Sequence, residues 1–240
     1  VLVNATIIRL TARSLLGGKR VLLLSAMALL LLVLAIVVRV AVGVDHEVTE
    51  EFIGTLAMAA LVPLFGLIVG TGVVGPEIDD GSIVYLLSKP IPRPEIALSK
   101  LVVAVTATIA FAAVPTLVAT LVLSGTELGL AAGFGVAALV AGVAYSAIFV
   151  LLAIVTKHAV VFGLVYALLW EGLVGGFVPG ARTLSVQQWA ISIGEAVSMP
   201  GAIDAHVGLG TAAVLLVVVT LAATWYAGQR LRALTLTADD

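Results

Sequence analysis

The sequence predicts an all-α integral membrane protein of six transmembrane helices. Three observations carry this: six long apolar stretches, a one-sided distribution of Lys and Arg, and a composition 62% hydrophobic with only 11% charged residues. Ordinary soluble domains run at roughly 45–50% and about 25% on the same two measures. The stretches are Val21–Val42, Phe52–Val74, Leu101–Leu123, Leu128–Val155, Ala159–Val178 and Val207–Ala227. Each reaches the ~20 residues needed to cross the hydrocarbon core. Segments such as Leu22–Val38 are apolar all round, so an amphipathic soluble bundle is excluded. Backbone groups in lipid must bond internally, which makes the spans helices, and the short alternating segments of a barrel are absent.

Charge sets the expected orientation. With the N-terminus inside, the cytoplasmic segments hold Arg9, Arg13, Lys19, Arg20, Lys89, Arg93, Lys100, Lys157, Arg230 and Arg232, ten of the twelve Lys and Arg. Arg182 falls in an outside loop and Arg39 near the outer end of the first span. The positive-inside rule then places both termini in the cytoplasm; a plasma (inner) membrane of bacterial type is the expected location. Net charge is only −2 and no basic patch is interleaved with aromatics, so nothing points to nucleic acid. The absence of cysteine removes thiol catalysis, thiolate ligands and disulfides. The first apolar run is expected to be retained as a span, since no small-residue cleavage site precedes the next polar loop.

Along the chain, Val1, Ala5, Ile8, Ala12 and Leu15 recur at helical spacing, and Gly17-Gly18 breaks the pattern. Residues 1–18 therefore read as an amphipathic helix on the cytoplasmic membrane surface. The outer loop Gly43–Glu51 carries Asp45, His46, Glu47, Glu50 and Glu51, a solvated cluster and not a metal site. Gly66–Gly70 and Gly129–Gly133 allow close helix approach, inside one bundle or at a dimer seam. Pro63 and Pro115 are expected to kink the second and third spans. Gly70-Thr71-Gly72-Val73-Val74-Gly75 spells a dinucleotide fingerprint but follows a membrane helix, so the match is accidental, and no P-loop occurs anywhere.

Glu171, beside Trp170, is the one acidic residue well inside a span. An ionised carboxylate at depth must face the bundle interior or lose its charge. Two readings stand: contact with a substrate on its pathway, or an early helix end at Gly172, Gly175 and Gly176 that leaves Glu171 near the outer interface. The outer stretch 179–206 follows, in which Trp189, Ile191, Ile193 and Val197 suggest a short helix against the outer leaflet, with a plain loop as the alternative.

The segment 76–100 is the most specific. Pro76 ends the second span, and Glu77-Ile78-Asp79-Asp80-Gly81-Ser82 follows. Ile83, Leu86 and Leu87 then line one face of a short helix, stopped by Pro90, Pro92 and Pro94 around Arg93; Lys100 opens the third span. Such a cytoplasmic helix needs lipid or a soluble partner to cover its apolar face.

In this segment the chain resembles the membrane (permease) subunits of type-2 ABC transporters, exporter-like permeases with six spans. Glu77, Gly81, Ser82, Leu86, Leu87, Pro90, Arg93 and Lys100 match that family's pattern in order; Pro92 departs from it where Ser or Thr is commoner. The resemblance implies that Glu77–Lys89 is a coupling helix docked on a separate ATP-binding cassette subunit, with Thr156-Lys157-His158 a second, smaller contact. It implies two permease subunits, homodimeric or heterodimeric, and two ATPase subunits. ATP and Mg would be bound by the partner, leaving this chain without cofactor, metal or catalytic residue. The function expected is ATP-driven export of a hydrophobic or amphipathic substrate. The pattern is equally similar to permeases of nitrous-oxide-reductase maturation. An ion-coupled secondary transporter is the alternative from another class, with Glu171 its only support. No span carries paired acids or histidines at catalytic spacing.

Overall fold

The computed structural model describes residues 3–82, 91–125, 127–174, 182–199 and 201–233. Among them there is no strand, and the helices α1 (Ala5–Leu16), α2 (Lys19–Val42), α3 (His46–Gly72), α4 (Arg93–Ser124), α5 (Leu128–Val155), α6 (Ala159–Val174), α7 (Val186–Val197) and α8 (Leu209–Ala233) form the bundle. Five of these, α2, α3, α4, α5 and α8, are long and apolar enough to cross a membrane, and α6 is a shorter apolar helix. The chain is an all-α, multi-pass membrane protein.

Several helices outrun the apolar stretches because polar residues start or finish them. Asp45 caps α3, its carboxylate accepting from Val48 N–H at 3.0 Å. α4 begins at Arg93, with Pro94 in its first turn, where a missing N–H has no cost. In α1, Leu15 of the expected stripe is buried, Ile8 and Ala12 are half-buried against the core and Ala5 is exposed, while Ile7 and Thr11 are buried beside Leu15. Asn4 caps this helix, while its own N–H donates to Ser99 Oγ of α4 at 2.8 Å, fixing its rotation against the bundle.

α5 is the central helix: 61% of its apolar window is buried, against 17% for α2 and α8. The outward faces of those two carry Leu22, Leu29, Val40, Val217, Leu221 and Trp225, which only lipid or another apolar surface can cover. α3 meets α5 glycine to aromatic. A methyl at Gly66 would stand 2.6 Å from Tyr145 Cβ, and one at Gly70 would stand 2.7 Å from Phe149 Cβ. At the other end of α5, Gly133 and Gly194 of α7 pack backbone to backbone, since a methyl at Gly194 would lie 2.5 Å from the Gly133 carbonyl oxygen. Both small-residue patterns thus serve packing within one chain.

The prolines inside spans share one device. Pro63 follows a π-helical stretch, Ile53–Leu61, and Pro115 follows another, Ile109–Ala113. Proline clashes with the carbonyl four residues back and offers it no N–H. The wider π turn re-pairs the carbonyls ahead of the ring, and the helix continues.

Charge divides the bundle. Arg20, Lys100, Lys157 and Arg230 gather at one end, called here the basic end. Asp45, Glu47, Glu50, Glu51, Glu127 and Asp204 belong to the opposite, acidic end.

Candidate functional site

At the basic end α3 breaks after Gly72, and the turn Gly75–Asp79 follows. The last carbonyls of a helix have no partner inside it. Lys100, 1% exposed on the second turn of α4, supplies one: Nζ donates to the Val73 carbonyl at 2.7 Å and to Glu77 Oε1 at 2.7 Å. A cation at a helix C-terminus also complements its dipole. One ammonium therefore ties the end of α3, the segment beyond it and the start of α4 into a single corner. Asp80 is exposed, and the Ser82 hydroxyl and backbone N–H beside it hold its carboxyl below the ordinary aspartate range. Gly81 takes φ +71°, a left-handed turn suited to glycine.

Two charged atoms of this corner are unspent. Glu77 Oε2 and Arg93 Nη1 are buried without a hydrogen-bond partner among the described residues. Of the other residues expected in this segment, Ile83, Leu86, Leu87 and Pro90 lie outside the described residues. Lys157 is exposed in the turn between α5 and α6, with Thr156 Oγ1 accepting from His158 N–H at 3.2 Å. Arg20 reaches the same end of α3, its Nη1 donating to the Gly72 carbonyl at 3.3 Å.

At the acidic end Glu171 is fully buried. Helix α6 widens to π geometry over Val165–Val174, so it does not stop at Gly172. The carboxylate accepts from Tyr166 Oη at 2.8 Å, from Ser185 Oγ, and from the N–H groups of Val186 at 3.1 Å and Gln187 at 3.4 Å. Val186 and Gln187 are the first residues of α7, and Ser185 is its N-cap, accepting from Gln188 N–H at 3.3 Å. Glu171 thus closes the open N-terminus of α7. Each of its oxygens accepts from two protein donors.

The position of α7 explains why such a cap is required. Its Gly194 touches Gly133 and Ala137, which lie five and nine residues beyond the Leu128 start of α5. At 1.5 Å per residue, α7 is sunk about 8–13 Å below the end of that span. Backbone at such depth must be satisfied by protein. Trp189 is buried, its Nε1 donating to the Thr183 carbonyl at 2.8 Å; Gln187 Nε2 reaches the Gly54 carbonyl at 3.0 Å and Ser192 Oγ the Val207 carbonyl at 2.8 Å. The described part of the outer stretch, residues 182–199 and 201–206, is therefore built into the bundle. Its sequence signal was Ser185-Val186-Gln187-Gln188, the S-x-x-Q form of a capping box.

Beside α7 a cavity of about 680 Å³ lies among α3, α6 and α7. Phe134, Leu168 and Ile191 give it apolar walls, and Glu47, Glu50, Glu51 and Asp204 give it acidic ones. Two carboxylates of this end, Glu50 and Glu127, make structural bonds. His46 pairs with Glu127 at 3.1 Å and bonds the Ala202 carbonyl at 3.1 Å, while Glu50 accepts from Asp204 N–H at 3.0 Å. Among the described residues no group of three or more His, Asp or Glu could hold a metal ion.

Compared with known proteins, residues 44–190 match the family model described as "ABC-2 family transporter protein". That range takes in the α3–α4 corner, Glu171 and the capped start of α7. No curated protein matches the chain.

Proposed function

The chain belongs to the ABC-2 family of transporter proteins, and from that premise we propose that it is the membrane subunit of an ATP-driven exporter. The basic end faces the cytoplasm, as the positive-inside rule requires, and the membrane is the plasma membrane. A separate ATP-binding cassette subunit docks there, binds ATP and Mg, and performs the hydrolysis. This chain transmits force and shapes the path. Two copies of it, or one copy with a second permease subunit, complete the pathway, with the exposed apolar faces of α2 and α8 available for that contact.

The observation that supports this reading best is the corner at Lys100. A docked helix can drive a bundle only if the segment bearing it is stiffly joined to the spans. The Lys100 ammonium provides such a joint, bonding Val73 and Glu77 from a side chain 1% exposed. Glu77 Oε2 and Arg93 Nη1 are buried beside it and unbonded among the described residues, so the corner keeps one acceptor and one donor in reserve beneath the docking segment. Gly81 and Ser82 lead into the segment bearing Ile83, Leu86, Leu87 and Pro90, which presents the apolar docking face, and Lys157 makes the smaller contact. The cavity beside α7, acidic and apolar at once, suits the exit of a hydrophobic or amphipathic cargo, with α7 as its outer gate and Glu171 as the hinge pin of that gate.

The test is a comparison of Lys100→Met with wild type, co-expressed with an ATP-binding subunit and reconstituted in vesicles. Loss of transport with assembly and ATP hydrolysis retained supports the joint. Unimpaired transport by a folded Lys100→Met complex would refute it.

A further inference from the structure

A second, smaller cavity of about 190 Å³ lies at the basic end, where the start of α2, the end of α3, the end of α5 and the start of α6 converge. Among the described residues its lining holds three basic side chains, Arg20, Lys157 and His158, and no carboxylate. Basic residues at this end of a membrane bundle are ordinarily solvated singly. Here they come from two separate parts of the chain and surround one concavity. Arg20 is half-buried and held in place: its Nη1 bonds the Gly72 carbonyl, and the bare Cα of Gly72 gives it room, since a methyl there would stand 3.4 Å from Arg20 Cδ. A planar guanidinium fixed in this way is pre-organised for the oxygens of a phosphate.

The volume falls below the ~300–1,000 Å³ of pockets that enclose drug-sized ligands. It suits a head group or a small anion. The lining also includes Val160 and Val161, which with Phe162 are more than half exposed on the first turn of α6. An apolar strip that starts at a basic cavity and runs along a span is the surface a phospholipid covers, phosphate at the cavity and acyl chain on the strip.

We propose that this cavity is a binding site for a phosphate-bearing ligand, held by Arg20, Lys157 and His158 at the basic end of the bundle. The inference stands on the cavity itself and needs neither the ATP-binding partner nor a particular cargo. The ligand is an anionic phospholipid or a soluble phosphate compound, two sources of one chemistry that experiment separates.

The full chain would be placed in nanodiscs of phosphatidylcholine, with or without phosphatidylglycerol at about 4:1. Native mass spectrometry then counts the lipid retained on release. In a parallel arm, inorganic phosphate is titrated into phosphatidylcholine-only discs while the melting temperature is followed. Selective retention of phosphatidylglycerol, weakened about thirtyfold by Arg20→Gln/Lys157→Gln, supports the site with a lipid as its ligand. A saturable rise in melting temperature with inorganic phosphate, lost in the same variant, supports it with a soluble ligand. Arg230→Gln, an exposed charge at the same end outside the cavity, reports general attraction. Equal loss in Arg230→Gln, or no preference for phosphatidylglycerol together with no response to phosphate, overturns the proposal. Should the double variant fail to fold, Lys157→Gln alone decides: weakened retention or a lost phosphate response supports the site, and binding equal to wild type overturns it.

Discussion

Replacing Glu171 by alanine removes the acceptor for four donors at once: the Tyr166 and Ser185 hydroxyls and the Val186 and Gln187 amides. The hydroxyls can rotate toward other acceptors, but the amides are fixed by α7 itself. A buried donor left unpaired costs about 1–3 kcal/mol. Side-chain hydrogen bonds between membrane helices average nearer 0.6 kcal/mol, because the unfolded chain in lipid also finds partners. The Val186 bond at 3.1 Å outweighs the Gln187 bond at 3.4 Å, so the sum settles near 2–4 kcal/mol. For a chain of this size that corresponds to roughly 5–15 °C in melting temperature. Glutamine keeps one acceptor oxygen but turns an NH₂ toward donors, so Glu171→Gln should fall between alanine and wild type. The damage should be local. Amide exchange should quicken over Val186–Ala190 while α5 stays protected. Thermal unfolding in nanodiscs combined with exchange mass spectrometry reads both. An alanine variant melting within about 1 °C of wild type, with α7 exchange unchanged, would refute the capping argument.

Three further outcomes are expected. Gly194→Ala places a methyl 2.5 Å from the Gly133 carbonyl oxygen and should destabilise by about 1–3 kcal/mol, whereas Gly54→Ala meets nothing within 4 Å and should be tolerated; thermal melts of the pair decide this. Lys100→Met and Glu77→Gln should each destabilise, and the double variant by less than their sum, because losing one partner of a pair whose ammonium is buried leaves the other charge uncompensated; additivity in a double-mutant cycle would deny the coupling. A cysteine at exposed Val44 should react with an impermeant reagent in intact cells and one at Ser82 should not, the reverse pattern overturning the assigned orientation.

The helical membrane class was legible because composition and span length record it directly, and α5 coincides with its apolar stretch, Leu128–Val155, to the residue. The short α6 was less legible: glycine-rich sequence after Trp170 is compatible with an ending helix, and only the π-wide path through Val174 shows that it continues. The stripe of α1 is turned by about one residue, with Ile7 and Thr11 more buried than Ile8 and Ala12, and Asn4 at its start bonds Ser99, a residue 95 positions away. Glu171 stood out as a buried acid, but periodicity could not supply its partner. The four donors come together only when α7 folds back beside α6, a long-range contact for which the S-x-x-Q cap at Ser185 was the sole local trace. Lys100 was marked by its position in a motif; that it caps the end of α3 through the Val73 carbonyl was invisible, since the acceptor is a backbone atom.

The central claim, that this chain is a permease driven by ATP bound elsewhere, is tested most directly by reconstitution. Vesicles holding the purified chain alone and vesicles holding it with an ATP-binding cassette subunit would be assayed for ATP hydrolysis and for ATP-dependent transport of an amphipathic dye. Neither activity is expected from the chain alone, and both from the complex. Hydrolysis by the chain unaided, or transport driven by an ion gradient without ATP or partner, would contradict the account.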